Sequence, residues 1–182
     1  MRKLLLLTAL SFTAIATSVK AQDKGVFKLG VGPVAALPFG DYHDLYSFGI
    51  GGEAQASYGI TDNIAAFLQS GYTALIAKTY EGPFGVSIKA PSNGLIPSIV
   101  GARYHHVSGF SIGAGIGYGK FTASGAGGGF AYSPQIGYSI GPVDIIAHYT
   151  GVAVSGGSYS SAGLKVFINF IGNSSGGYGG KW

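Results

Sequence analysis

The hydrophobic pattern of this chain has a period of two. Phe48, Ile50, Gly52, Ala54, Ala56, Tyr58 and Ile60 share one face of an extended segment, while Gly49, Gly51, Glu53, Gln55, Ser57 and Gly59 share the other. Neighbouring side chains of a strand point to opposite faces, so the alternation predicts a β-strand with one apolar and one small or polar face. A Thr61-Asp62-Asn63 turn leads into a second such segment, Ile64–Ala74. The signature recurs at Gly25–Leu37, Leu95–His105, Phe110–Lys120, Phe130–Ile140, Val143–Val154 and Tyr159–Phe170. After the N-terminal region no stretch is apolar for long enough to make a transmembrane helix.

Eight segments of about ten residues match the even number and length of strands in a small outer-membrane barrel. The expected fold class is all-β, an eight-stranded antiparallel up-and-down transmembrane β-barrel. Short turns follow the second, fourth and sixth segments. Longer stretches, 38–47, 75–94 and 121–129, follow the first, third and fifth, and the seventh connection is short as well. Short periplasmic turns and long external loops would leave both chain ends in the periplasm.

Aromatic positions decide whether the apolar face meets a core or lipid. Phe27, Tyr58, Tyr104, Phe110, Tyr138 and Phe170 fall near the periplasmic ends of that face. Phe48, Tyr72, Tyr118, Phe130, Tyr132 and Tyr149 fall near the outer ends, with Ala, Ile, Leu and Val between. Rings at both interfaces around an aliphatic band form the girdle of a lipid-facing surface. A soluble core gives no reason to sort aromatics by height. The opposite face carries Lys28, Glu53, Arg103, Asp144, His148 and Lys165 among Gly, Ser and Gln. Eight strands enclose little more than their own side chains, and charges held there must pair or keep water. A lumen charge network is expected, centred on Glu53 and Asp144 with Arg103 and Lys165.

Composition agrees with a membrane barrel and narrows the rest. Only 10% of residues are charged, Gly numbers 33, and there is no cysteine for a disulfide or a thiolate metal site. Met1–Ala21 reads as a secretory signal, with Arg2 and Lys3 ahead of an apolar run and Val19-Lys20-Ala21 before Gln22. Removing it leaves 8 basic against 7 acidic side chains, a charge of about +1, so the basic pI says nothing about nucleic acid. The expected organisation is a signal peptide at 1–21, a barrel at 22–171 and a Gly/Ser-rich tail at 172–182.

The chain resembles the small outer-membrane β-barrel (porin-like) family of Gram-negative bacteria, in the version common in Bacteroidota. Four stretches carry the resemblance: Ala21-Gln22, Pro38-Phe39-Gly40-Asp41-Tyr42, Tyr58-Gly59-Ile60-Thr61-Asp62-Asn63 and Gly115-Ile116-Gly117-Tyr118. Ser133-Pro134-Gln135-Ile136-Gly137-Tyr138 and a final strand ending in Phe170 add to it. The resemblance implies fold and location, with lipid, lipopolysaccharide, periplasmic chaperones and the barrel assembly machinery as partners. A terminal aromatic usually serves this class as an assembly signal, a role open here to Phe170 or Trp182.

Candidate chemistry is sparse, and no catalytic residue, metal ligand or cofactor is expected. His105 and His106 are adjacent, so on a strand they diverge and cannot share an ion. His148-Tyr149-Thr150 is similar to the His-x-Ser arrangement of barrel lipid A deacylases, but no acid follows Asp144 to orient the base. His43 between Asp41 and Asp44 reads as a solvated loop group, and Gly125–Gly129 lacks the Lys-Ser/Thr and helix of a phosphate loop. Basic and aromatic residues are too sparse for nucleic-acid binding. The expected function is non-enzymatic: a monomeric barrel with a structural role, or one that binds an unknown ligand through external loops bearing Tyr42, Tyr46, Tyr80 and Phe84. The preferred reading of those four aromatics is that they pack over the barrel mouth or touch lipopolysaccharide. A pore for small solutes or ions and a lipid A-modifying enzyme stand as alternatives.

Overall fold

The computed structural model describes residues 24–81, 87–89, 93–123, 125, 127–154 and 157–173. In chain order the elements are β1 (Phe27–Phe39), α1 (Asp41–Leu45), β2 (Tyr46–Gly59), β3 (Ile64–Ala77), β4 (Thr79–Glu81) and β5 (Ser87–Lys89). They continue with β6 (Asn93–His105), β7 (Phe110–Phe121), β8 (Gly128–Ile140), β9 (Val143–Val154) and β10 (Gly157–Asn173). Eight of these strands pair in the order β1-β2-β3-β6-β7-β8-β9-β10, and β10 pairs antiparallel with β1 to close the barrel. Closure leaves no open edge, the condition for placing backbone N–H and C=O groups in hydrocarbon. Three connections at one end are tight (60–63, 106–109 and 141–142), and this turn end also holds both ends of the described chain. The loop end, opposite, carries α1 and the small β4–β5 hairpin.

Burial along the strands is inverted relative to a water-soluble sheet. On β3, Leu68 is 54% exposed while its neighbour Gln69 is fully buried. On β10, Leu164 is likewise 54% exposed and Lys165 only 2%. The apolar face therefore points out of the barrel, and the polar face fills it.

Several boundaries differ from the alternation pattern. The first strand runs two residues later than Gly25–Leu37, because Gly25 turns at φ 79° and Phe39 still pairs with Ser160. Stretch 38–47 is not only loop, since Asp41–Leu45 forms one helical turn. Stretch 75–94 is not irregular throughout: β3 continues to Ala77, and Thr79–Glu81 pairs with Ser87–Lys89. β10 reaches Asn173 rather than stopping at Phe170. Residues 174–182, with Trp182, and the signal at 1–21 lie outside the described residues.

Proline within the strands interrupts the ladders. A closed barrel has no edge on which to place a residue lacking an N–H. Pro33 keeps its partner Gly52 on β2, but pairing with β10 lapses between Val31 and Val34. Pro97 pairs with Gly119, and the β3 ladder lapses beside it; Pro134 pairs with Ala114, and the β9 ladder lapses. Close backbone approach needs glycine at Gly32, where an added Cβ would lie 1.5 Å from the Val166 carbonyl oxygen.

Candidate functional site: the barrel interior and its mouth

The interior is layered along the barrel axis. Toward the turn end it is polar and hydrogen-bonded. Lys165 Nζ donates to Glu53 Oε2 at 2.7 Å and to Gln69 Oε1 at 3.4 Å, with both charged side chains removed from solvent. Arg103 Nη2 donates to Gln135 Oε1 at 2.7 Å and Gln55 Oε1 at 3.2 Å, and its guanidinium lies 4.9 Å over the Phe67 ring. Asp144 accepts from Ser139 Oγ at 2.7 Å, Asn169 Nδ2 at 3.0 Å and Gln55 Nε2 at 3.4 Å. Gln69 Nε2 donates to Gln55 Oε1 and Gln135 Nε2 to Gln69 Oε1, both at 2.8 Å.

The geometry supplies the partners that inward parity left open. Glu53 and Lys165 do meet, but Arg103 and Asp144 are bridged through Gln55 rather than bonded to each other. A glutamine offers both a donor and an acceptor, so it can satisfy a cation on one side and an anion on the other without adding charge. Gln55, Gln69 and Gln135 are thus the hub. Their signal in the sequence is their shared inward parity, which marks position but not partners. Lys28 lies half-buried at the turn end and donates no hydrogen bond to the hub. His148 faces inward, its Nδ1 3.1 Å from Thr150 Oγ1, which is 3.4 Å from Ser133 Oγ.

Toward the loop end the interior turns apolar. Leu75, Leu95, Ile99, Phe121, Val152 and Tyr159 form a buried cluster, which Phe67, on the turn side of Gln69 along β3, extends past the hub. Tyr46 joins it because β2 bulges: Tyr46 pairs with Ala77 but Phe48 with Ile76, so the extra residue, Ser47, turns Tyr46 inward. Tyr42, carried on α1, closes the layer. Its ring stacks on Phe121 at 5.4 Å and meets Tyr159 edge-on at 5.2 Å. Between the polar and apolar layers lies a cavity of about 10 Å³ lined by Glu53, Thr73, His148, Thr150, Tyr159 and Ser161, among others.

No protein-family model matches this chain, and no curated protein matches it. Among solved structures it is similar to Ail, the attachment invasion locus protein of Yersinia pestis, with a TM-score of 0.58 at 14% identity over 81% of this chain and 99% of that one. Ail in a phospholipid bilayer nanodisc gives 0.57 at 14% identity, over 81% of this chain and 100% of the other. Ail in complex with the heparin analogue sucrose octasulfate gives 0.53 at 16%, over 81% and 99%. The fold is that of the small eight-stranded outer-membrane β-barrels.

In this barrel the twelve aromatics assigned by parity to the outward face divide between its two ends. Phe27, Tyr58, Tyr104, Phe110, Tyr138 and Phe170 are exposed toward the turn end. Tyr72, Tyr118, Phe130 and Tyr132 are exposed toward the loop end, where Phe48 and Tyr149 are half-buried. Tyr149 Oη donates to Ser160 Oγ at 2.7 Å, and its ring lies 5.9 Å from that of Tyr132. The candidate loop contacts part company. Tyr46 is buried and Tyr42 half-buried, so both serve the plug; Tyr80 lies on β4, and Phe84 is outside the described residues. The histidine candidates separate too. His105 is buried, while His106 is exposed in its turn with Nδ1 2.9 Å from Ser108 Oγ. His43 Nδ1 sits 3.2 Å from the Pro38 carbonyl oxygen.

Proposed function

We propose that this protein is an integral outer-membrane barrel that acts structurally and as a surface-binding scaffold, neither conducting solutes nor catalysing a reaction. The observation that carries this reading is the filled interior: a hydrogen-bonded polar layer beneath a stacked aromatic layer, with a cavity of about 10 Å³ between. Residues 1–21 would direct export, the turn end would face the periplasm, and the loop end would face outward. Lys120 lies on the outward side of β7 just beyond Tyr118, placed to reach anionic lipopolysaccharide headgroups while its stem stays in the apolar belt. Chaperones and the barrel assembly machinery would act during biogenesis, with Phe170 or Trp182 as the aromatic signal, and the working form is a monomer.

With Tyr42 and Tyr46 committed to the plug, the binding surface falls to the β4–β5 hairpin and the 122–127 connection. Membrane insertion is tested by heat-modifiable migration on SDS gels and fractionation with outer membranes; recovery as a soluble periplasmic protein would refute it. Planar-bilayer recordings test conduction. A silent bilayer is expected, and steady openings abolished by substituting Arg103 would establish the pore. Lipid A should be unchanged by overexpression or by His148→Ala, since that imidazole is buried inside the wall rather than facing lipid.

A further inference from the structure

Two buried polar atoms near the boundary between the layers lack a hydrogen-bond partner, His148 Nε2 and Tyr159 Oη. Tyr159 is fully buried and His148 93% so, and Ser161 lies beside the phenol without completing a hydrogen bond within normal limits. Orphaned polar groups in such surroundings are costly to leave without a partner. Both residues line the same internal cavity, whose volume of about 10 Å³ is close to one water-sized sphere. Its lining also includes Glu53, Thr73, Thr150 and Ser161, which carry a carboxyl and three hydroxyls.

We infer that this cavity is a binding site for a single ordered water. The water accepts from the Tyr159 hydroxyl and bonds His148 Nε2 in whichever sense the imidazole tautomer requires, because water both donates and accepts. Its remaining bond goes to the carboxyl or hydroxyl wall, giving the roughly three partners usual for buried water. A cation fits poorly. Glu53 is already neutralised by Lys165, and a hard ion would demand about six oxygen ligands. The water extends the chain that runs from Gln135 through Ser133 and Thr150 to His148, ending it under the aromatic layer. It is therefore the last hydrated point of the interior, and the layer above it is dry.

A high-resolution crystal structure of the intact barrel tests the site. One isolated density peak is expected within about 2.6–3.2 Å of both His148 Nε2 and Tyr159 Oη. No peak, a direct bond from Tyr159 to Ser161 or His148, or a six-oxygen shell marking a cation would each overturn the inference. In solution, oxygen-17 relaxation dispersion should count one fewer long-lived water in the His148→Leu/Tyr159→Phe double variant than in wild type. An unchanged count would also overturn it. If that variant does not fold, the wild-type density alone decides.

Discussion

Replacing Glu53 with glutamine changes one charge and almost no volume, so it isolates the enclosed ion pair. At the observed 2.7 Å separation and an effective dielectric constant of about 20, the direct attraction is about 6 kcal/mol. Desolvating the two ions opposes it by several kcal/mol each, which leaves the intact pair near neutral. Glu53→Gln removes the attraction but not the burial of the Lys165 ammonium. Breaking a buried pair in this way costs about 3–5 kcal/mol. Lys165 retains Gln69 Oε1 at 3.4 Å and gains an amide oxygen at position 53, so the lower end applies. About 3 kcal/mol corresponds to a roughly 150-fold shift in the folding equilibrium. Reversible urea unfolding in lipid vesicles, read by circular dichroism and by the folded and unfolded bands on cold SDS gels, measures it. The Glu53→Leu/Lys165→Met double variant, which removes both ions, should recover most of the loss or exceed wild type. A single-variant cost under about 1 kcal/mol would refute the reasoning, because an ammonium that loses its partner so cheaply must reach water. The lumen would then be hydrated at mid-height, and conduction would regain its standing.

Three further outcomes follow from the wall. Leu68→Lys should destabilise the barrel by about 2–4 kcal/mol in vesicles if that position faces mid-bilayer, and a near-zero effect would mean it faces water. Gly32→Ala places a Cβ against the Val166 carbonyl oxygen, which cannot move aside, so its cost should reach or pass the upper end of the roughly 1–3 kcal/mol for overpacking. Gly151→Ala meets only the tip of the Tyr132 ring, which can swing into lipid, so refolding yield should fall for the first variant and hold for the second. Ser70 and Ser98 hydrogen-bond to each other at 3.3 Å on the outward face; replacing both with valine should stabilise by about 1 kcal/mol in urea titrations. A loss instead would mean that this patch contacts something other than acyl chains.

The barrel was legible because its rule is local. Parity assigns Leu68 and Gln69 to opposite faces, and the sorting of Tyr58 from Tyr72 by height says which face is lipid. Partners inside the lumen are not local. Arg103 and Asp144 have inward parity from the sequence, but whether they touch depends on strand tilt and stagger, which alternation does not encode. The glutamines intervene because they reach both. Tyr46 is hidden for a different reason: its inward turn depends on a bulge at Ser47, and a one-residue bulge reverses every parity beyond it. Tyr42 reads as a loop residue until Phe121 and Tyr159, distant in sequence, supply the rings it stacks on.

The β7–β8 ladder is continuous from Phe110↔Tyr138 to Lys120↔Gly128, and these strands adjoin in sequence, so closing them costs little chain entropy. The β1–β10 ladder joins Phe27 to Asn173, the most distant pairing in the barrel, and it carries both a register shift after Leu29 and the lapse at Pro33. The contact with the greatest loop-closure cost is therefore also one of the interrupted ladders, together with β2–β3, β3–β6 and β8–β9. A uniform ladder there would demand correct register along its whole length when the two ends of the chain meet. With a bulge and a proline it divides into three shorter paired runs, Phe27–Leu29, Gly30–Val31 and Val34–Phe39. Gly32 lies at the join, where a side chain would hold the strands apart. The seam that completes the barrel thus combines the largest loop-closure cost with an interrupted ladder, while the β7–β8 hairpin combines the smallest kind of closure with an unbroken one.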